Sequence, residues 1–267
     1  PGTTLATWPF FVVAFAITWG CQLPGLLVHL GVLAGPVERF LPLLGLGSLG
    51  PLLAAALWSS RRCGGDGNRA LFGRLFVPGV AVGWYLVAPL VSGALLVLGL
   101  AGYELATGAD AGPWLYPPRA PERVVAMVMF SVGEEVGWRG FAQPRLRDRY
   151  GALAGSVILG VLWGLWHLPM FLMAELDPLT MALLVFAFLP AGSVVFGWFF
   201  ERTRGSLTIA ILLHMGAHLN NSHLALPGDP LPSYAHTAAF VALAVLLVVV
   251  DRSFRRAPAE RGRAAGG

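Results

Sequence analysis

Long apolar runs separated by short polar connections dominate the chain. A membrane-crossing helix needs about 20 predominantly apolar residues. Eight segments meet that length, some with polar interruptions: roughly 8–30, 39–59, 76–101, 121–142, 151–174, 178–200, 206–223 and 234–250. Prolines and glycines fall inside several of them, which membrane helices tolerate because neighbouring groups re-satisfy the freed backbone. No internal repeat marks the chain. The pattern predicts an all-α polytopic membrane helix bundle of about eight transmembrane helices, with residues 1–250 forming a single domain. Residues 103–120 read as an external loop rich in Gly and Pro. Residues 251–267 read as an Arg-rich cytoplasmic tail near anionic headgroups, whose simplest role is to anchor topology.

Composition supports this. The 267 residues are 56% hydrophobic and 12% charged, against roughly 25% charged in a soluble domain. Mean hydropathy is +0.70. All 18 basic residues are Arg. The sequence pI near 9.6 raises nucleic acid as a partner, but the arginines fall in connections between apolar spans, which argues against it.

Their placement sets an orientation. Arg61, Arg62, Arg69 and Arg74 follow span two; Arg145, Arg147 and Arg149 follow span four; Arg202 and Arg204 follow span six. Arg252, Arg255, Arg256, Arg261 and Arg263 lie in the tail. The other side holds only Arg39, Arg119 and Arg123, with most loop carboxylates. Short loops rich in Arg stay cytoplasmic, so both termini are expected in the cytoplasm, which an even number of spans permits.

Two cysteines, Cys21 and Cys63, offer neither a disulfide framework nor a metal pair. Trp19 is too large for a lipoprotein site at Cys21. The first apolar stretch lacks a basic leader and a small-residue cleavage site, so it reads as a retained span. Opening on Pro1 leaves room for a few native residues before it.

Against this background, Glu134, Glu135 and Arg139 stand inside the apolar run MVMFSVGEEVGWRGFAQPRL. A charge near the bilayer centre costs about 2.5–3.5 kcal/mol on insertion scales, so three such charges need offsetting partners. Glu135 and Arg139, four apart, share a helix face and can pair. That pairing is the more economical reading of both. Glu134 points about 100° away and lacks a local partner, which suits a general base.

Span five carries Trp163 and His167; span seven carries His214, His218, Asn220 and Asn221. Trp163, one turn before His167, reads on its own as packing and, with Asn221, is a candidate for substrate or oxyanion support. His214 and His218 share a face at a spacing that suits metal ligation or two donors aimed at an oxyanion. Asn221, seven past His214, can join that face. Depth follows from the helical rise: Glu134 sits about 16 Å from the Arg-rich side, and His214, His218 and His167 about 14, 20 and 24 Å. The groups can meet near mid-membrane. Gly133 and Gly137, and Gly160 and Gly164, permit close helix approach beside them. His29, His223 and His236 sit near span ends and receive no role.

Taken in order, these motifs resemble the CAAX protease and bacteriocin-processing (CPBP, or ABI/Rce1-like) family of intramembrane proteases, whose pattern is EExxxR, an aromatic-xxx-His and HxxxN on separate helices. Glu134-Glu135-Val-Gly-Trp-Arg139 matches fully. Trp163-Gly-Leu-Trp-His167 supplies the second motif. His214-Met-Gly-Ala-His218 has His where the pattern has Asn. The resemblance covers residues 131–221, within a catalytic core of about 121–223.

The resemblance implies an endopeptidase in which Glu134 activates water with help from His167, while His214 and His218 stabilise the oxyanion. Glu135 and Arg139 would hold the site in shape. It further implies a membrane-associated peptide or protein substrate, access from the cytoplasm and residence in the bacterial plasma membrane. Metal use is open: His218 raises the prospect of a Zn site with His167 and His214, or Asn221 supplies the missing amide. Two rivals stand beside this reading. One is a proton- or cation-coupled transporter; the other is a non-catalytic membrane scaffold or immunity protein.

Overall fold

A computed structural model describes residues 7–111, 121–218 and 231–256. Helix α1 (Thr7–His29) runs unbroken past Pro24. A 3₁₀ turn over Val37–Phe40 leads into α2 (Leu41–Gly47) and α3 (Gly50–Gly73). Helix α4 covers Val82–Thr107 and α5 covers Pro121–Glu135. The latter continues through π-helical turns over Val136–Ala142 into α6 (Gln143–Tyr150). Then come α7 (Ala152–Trp166), α8 (Leu168–Met173) and α9 (Pro178–Leu183). A second π stretch over Leu184–Phe188 joins α9 to α10 (Leu189–Arg202), followed by α11 (Leu207–His218), α12 (Leu231–Val250) and α13 (Arg252–Arg255).

Among the described residues there is no strand, and each expected apolar segment is mostly helical over its described part. Five helices are long and apolar enough to cross a membrane: Thr7–His29, Val37–Arg61, Val82–Thr107, Pro178–Arg202 and Ser233–Val250. Ala152–Trp166 and Leu207–His218 are shorter apolar helices. Their lipid-ward faces stay apolar: Leu86, Leu90 and Leu98 on α4 and Val245, Leu246 and Val249 on α12 are all exposed. The chain is an integral membrane helix bundle.

Two departures from the sequence pattern have local causes. Helix α3 runs past its apolar end into the Arg-rich connection, because Leu71 is buried there against the open face of Gly140. The fifth span breaks at His167. Pro169 has no N–H to bond the Leu165 carbonyl, and its ring crowds that carbonyl, so the α7 helix cannot continue unbroken through it. The His167 amide accordingly turns to the Gly164 carbonyl at 3.1 Å.

Small residues do what their spacing predicts. A Cβ on Gly133 would meet the Ser48 carbonyl oxygen at 2.8 Å, and one on Gly137 would meet Pro51, so α5 lies directly on α3. On α7, Gly160 abuts Pro190 and Gly164 abuts Val185, which brings α10 and the π stretch before it into backbone contact.

The Arg-bearing connections gather at one end of the bundle. Arg147 bonds Glu201 at 3.3 Å, Arg204 donates to the Pro78 carbonyl at 3.0 Å and Arg74 lies over the Phe200 ring. Arg202 and Trp198 both donate to Asp251. These contacts tie the links after α3, α6 and α10 to the chain after α12.

Candidate active site

The expected residues converge on one buried cluster. Glu134, Glu135 and Arg139 come from α5 and its π-helical continuation, Trp163 and His167 from the end of α7, and His214 and His218 from α11. The π turns begin directly after Glu135. Such widened turns recur at functional sites because they re-aim side chains.

Arg139 and Glu135 are fully buried, 0% exposed for both, and pair at 3.1 Å through Arg139 Nη1 and Glu135 Oε1, as their spacing predicts. The guanidinium also lies between two rings, 4.5 Å from the centroid of Trp163 and 4.6 Å from that of Phe196. Aromatic faces attract a desolvated cation. Together these partners explain how a full charge is kept inside the bundle.

Glu134 has a partner that the sequence did not reveal. Trp163 Nε1 donates to Glu134 Oε2 at 2.6 Å. Trp163 is thus more than packing: it holds one carboxylate oxygen of Glu134. An indole one turn before a motif histidine was the available signal.

Both motif histidines have defined tautomers. His214 Nδ1 lies 2.7 Å from Glu135 Oε1, and a carboxylate paired with Arg139 is an acceptor, so Nδ1 carries the proton. His167 Nδ1 lies 2.8 Å from the Trp163 carbonyl oxygen, which can only accept. This carbonyl is available because the His167 amide bonds Gly164 instead. Each ring is left with an Nε2 lone pair. Trp166 edge-on and Phe171 stacked parallel hold the His167 ring between them. His214 and His218 stack with centroids 4.6 Å apart. His218 Nε2 is buried and has no hydrogen-bond partner among the described residues.

Ligand atoms from Glu134, His214 and His218 all lie within 4.8 Å of one another. That differs from the histidine trio expected from sequence: Glu134 takes the third place, and His167 is not in the group, although it lines the same cavity. Asn221, with Asn220 and His223, lies outside the described residues. His236 is buried inside α12 against Phe188 and Phe240 rather than at a span end.

The cluster lines a cavity of about 640 Å³. Glu134, His167, His214 and His218 meet in its wall, with apolar surface from Phe130, Leu44, Met173 and Phe188. Sequence reasoning missed two polar lining residues, Ser48, and Gln22 of α1; the Gln22 side-chain oxygen is buried and has no partner among the described residues. A lone amide in an otherwise apolar helix was the signal for Gln22.

Comparison with known proteins finds similarity over the part of the chain that carries this cluster. The model of the type II CAAX prenyl endopeptidase Rce1-like proteins matches residues 118–220, which include every described member of the cluster. CAAX prenyl protease 2 of Methanococcus maripaludis is 27% identical over 134 residues, covering 47% of this chain and 48% of that protein. The chain spans about half the length of that curated relative. Over this core, the chain is similar to the CPBP (Rce1-like) proteins.

Proposed function

We propose that this protein is an intramembrane endopeptidase that hydrolyses a peptide bond of a membrane-associated substrate. The observation that carries the reading is a carboxylate, Glu134, held by an indole N–H at 2.6 Å in the wall of a cavity shared with three imidazoles. A transporter needs a continuous polar path, and a scaffold has no use for a cavity aimed at a carboxylate.

In this reading Glu134 takes a proton from a water whose oxygen attacks the scissile carbonyl carbon. The C–N bond then breaks, and the proton held by Glu134 passes to the leaving amine. His167, with its Nε2 lone pair, helps orient the water. His218 is free to present an N–H to the developing oxyanion, as the amide of the family pattern would. His214, its Nδ1–H held by Glu135, stacks on His218 in the same wall. Glu135 and Arg139 position His214 and do not touch the substrate.

A second reading adds a zinc ion. The donor set fits: Glu134, His214 and His218 would hold it, with His214 oriented through Nδ1 by Glu135 as metal-bound histidines commonly are. Bound there, zinc would polarise a carbonyl and acidify a water. In this reading the enzyme sits in a bacterial plasma membrane with its Arg-rich end in the cytoplasm.

The test is cleavage of a panel of prenylated CAAX peptides and unmodified membrane peptides by wild type and Glu134→Gln, each with and without a zinc chelator. Cleavage lost in Glu134→Gln and untouched by chelator supports the metal-free mechanism. Loss in both supports the zinc reading. Equal cleavage by wild type and Glu134→Gln would overturn the proposal.

A further inference from the structure

Helix α1 brings an amide to the cavity wall. Thr18, Gln22 and Gly25 stand at i, i+4 and i+7 on one face of that helix. Both neighbours of Gln22 on this stripe are fixed. Thr18 Oγ1 donates to the Gly47 carbonyl of α2 at 2.7 Å. A Cβ on Gly25 would meet Leu44 and Met173 at 3.5 Å, two side chains of the cavity lining. Trp19, three residues before Gln22, donates Nε1 to the Trp166 carbonyl at 3.0 Å and ties α1 to the residue before His167. These contacts hold Gln22 on the cavity that Glu134 and His167 also line.

Gln22 is 6% exposed, and its Oε1 has no hydrogen-bond partner among the described residues. Buried polar atoms are nearly always partnered in a folded protein. Ser48 in the same wall spends its hydroxyl proton on the Gly45 carbonyl at 2.7 Å. An acceptor left unengaged in a cavity wall is set for a ligand that brings an N–H. A peptide brings one at every residue except proline.

We infer that Gln22 is a substrate-binding residue whose Oε1 accepts a backbone N–H of the peptide close to the scissile bond. The inference rests on the peptidase reading and extends the site to α1. Gln22 lies outside residues 118–220, the part of the chain that the Rce1-like model matches. A bond to the peptide backbone fixes register without selecting a side chain, in a wall otherwise lined largely by Leu, Met and Phe. The bonded N–H is not at the reacting carbonyl, so the contact is the same in ground state and transition state. It therefore acts on KM and leaves kcat alone.

Steady-state cleavage by the full-length protein tests this. The probe is the panel peptide that wild type cleaves fastest, prenylated or unmodified. A set of depsipeptide analogues accompanies it, each with an ester oxygen in place of one backbone N–H flanking the scissile bond. Gln22→Met removes the amide and keeps the length of the side chain. Its KM should rise about 3- to 10-fold, the worth of one neutral hydrogen bond. Both kcat and the melting temperature in detergent should stay near wild type. One ester analogue should raise KM by a similar factor with wild type and leave it unmoved with Gln22→Met.

An unchanged KM in Gln22→Met overturns the inference. So does an ester scan in which every position affects the two enzymes equally, because Gln22 would then shape the fold without touching the peptide. Gln22→Leu takes the place of Gln22→Met if the latter does not fold. A wild-type scan in which no ester raises KM overturns the inference without either variant. Wild type that cleaves no panel peptide removes the peptidase reading and this inference with it, whereas cleavage with an unmoved KM removes this inference alone.

Discussion

His214 Nδ1 and Glu135 Oε1 lie 2.7 Å apart, with Arg139 on the same carboxylate oxygen at 3.1 Å. The pair explains why the family pattern carries two adjacent glutamates that do different work. Glu134 faces the cavity; Glu135 faces the protein, neutralises a buried cation and sets a histidine tautomer.

Replacing Glu135 should therefore damage fold and function together. Glu135→Gln leaves Arg139 without its anion inside the bundle. Losing one partner of a buried ion pair typically costs about 3–5 kcal/mol. The expected outcome is a markedly lower melting temperature in detergent and little cleavage. Glu134→Gln, by contrast, should abolish cleavage while leaving the melt within a few degrees of wild type.

Trp163 gives a cleaner separation of roles. Trp163→Phe keeps the ring over Arg139 and beside His214 but removes the Nε1 proton from Glu134. Hydrogen bonds to charged groups contribute about 1.5–3 kcal/mol, so kcat should fall roughly 10- to 100-fold with a near-normal melt. An unchanged kcat would mean that the indole only packs.

Much of this was readable from residue order. The Glu135–Arg139 pair follows from i,i+4 spacing, and the approach of α5 to α3 follows from Gly133 and Gly137. The break at His167 was visible in Pro169, though not its consequence, a carbonyl released to fix the imidazole tautomer. Two things were not legible. Trp163 serves Glu134 only because α7 crosses α5 at that level, a long-range relation that local periodicity does not encode. The π turns over Val136–Ala142 are the other, because π geometry leaves no mark in an apolar pattern.

Position 218 tests the departure from the family pattern. His218→Asn restores the patterned residue and keeps an N–H donor, so metal-free cleavage should persist within about tenfold. His218→Ala removes the donor and should cost about 10²–10³ in kcat, the usual effect of losing one oxyanion donor. Zinc binding followed by isothermal titration should weaken in both variants. A His218→Asn enzyme as inactive as His218→Ala would point to the zinc reading instead.

Gly137→Ala probes the packing that supports the cluster. The new methyl would drive into the Pro51 backbone, a contact that cannot relax by rotating a side chain. Overpacking of this kind costs about 1–3 kcal/mol. Both the melting temperature and kcat should fall, because displacement of α5 from α3 carries Glu134 with it. Gly102→Ala, where an added methyl meets nothing within 4 Å, is the control for a glycine-to-alanine change at a position with room.

Asp251 should make stability pH-dependent at the Arg-rich end. Burial alone would raise its pKa, but donors from Ser253, Arg202 and Trp198 outweigh that and hold it below the ordinary carboxylate value. A group whose folded pKa is depressed stabilises fully above its unfolded pKa, about 3.9 for Asp, and loses that contribution as pH falls through the folded value. Melting in detergent should therefore show wild type above Asp251→Asn by a constant margin from pH 8 to pH 5. That margin should shrink progressively below about pH 4. A margin that stays constant down to pH 3 would mean that the tie between α10 and the chain after α12 does not depend on the aspartate's charge, and that Arg202 and Trp198 are held there by packing alone.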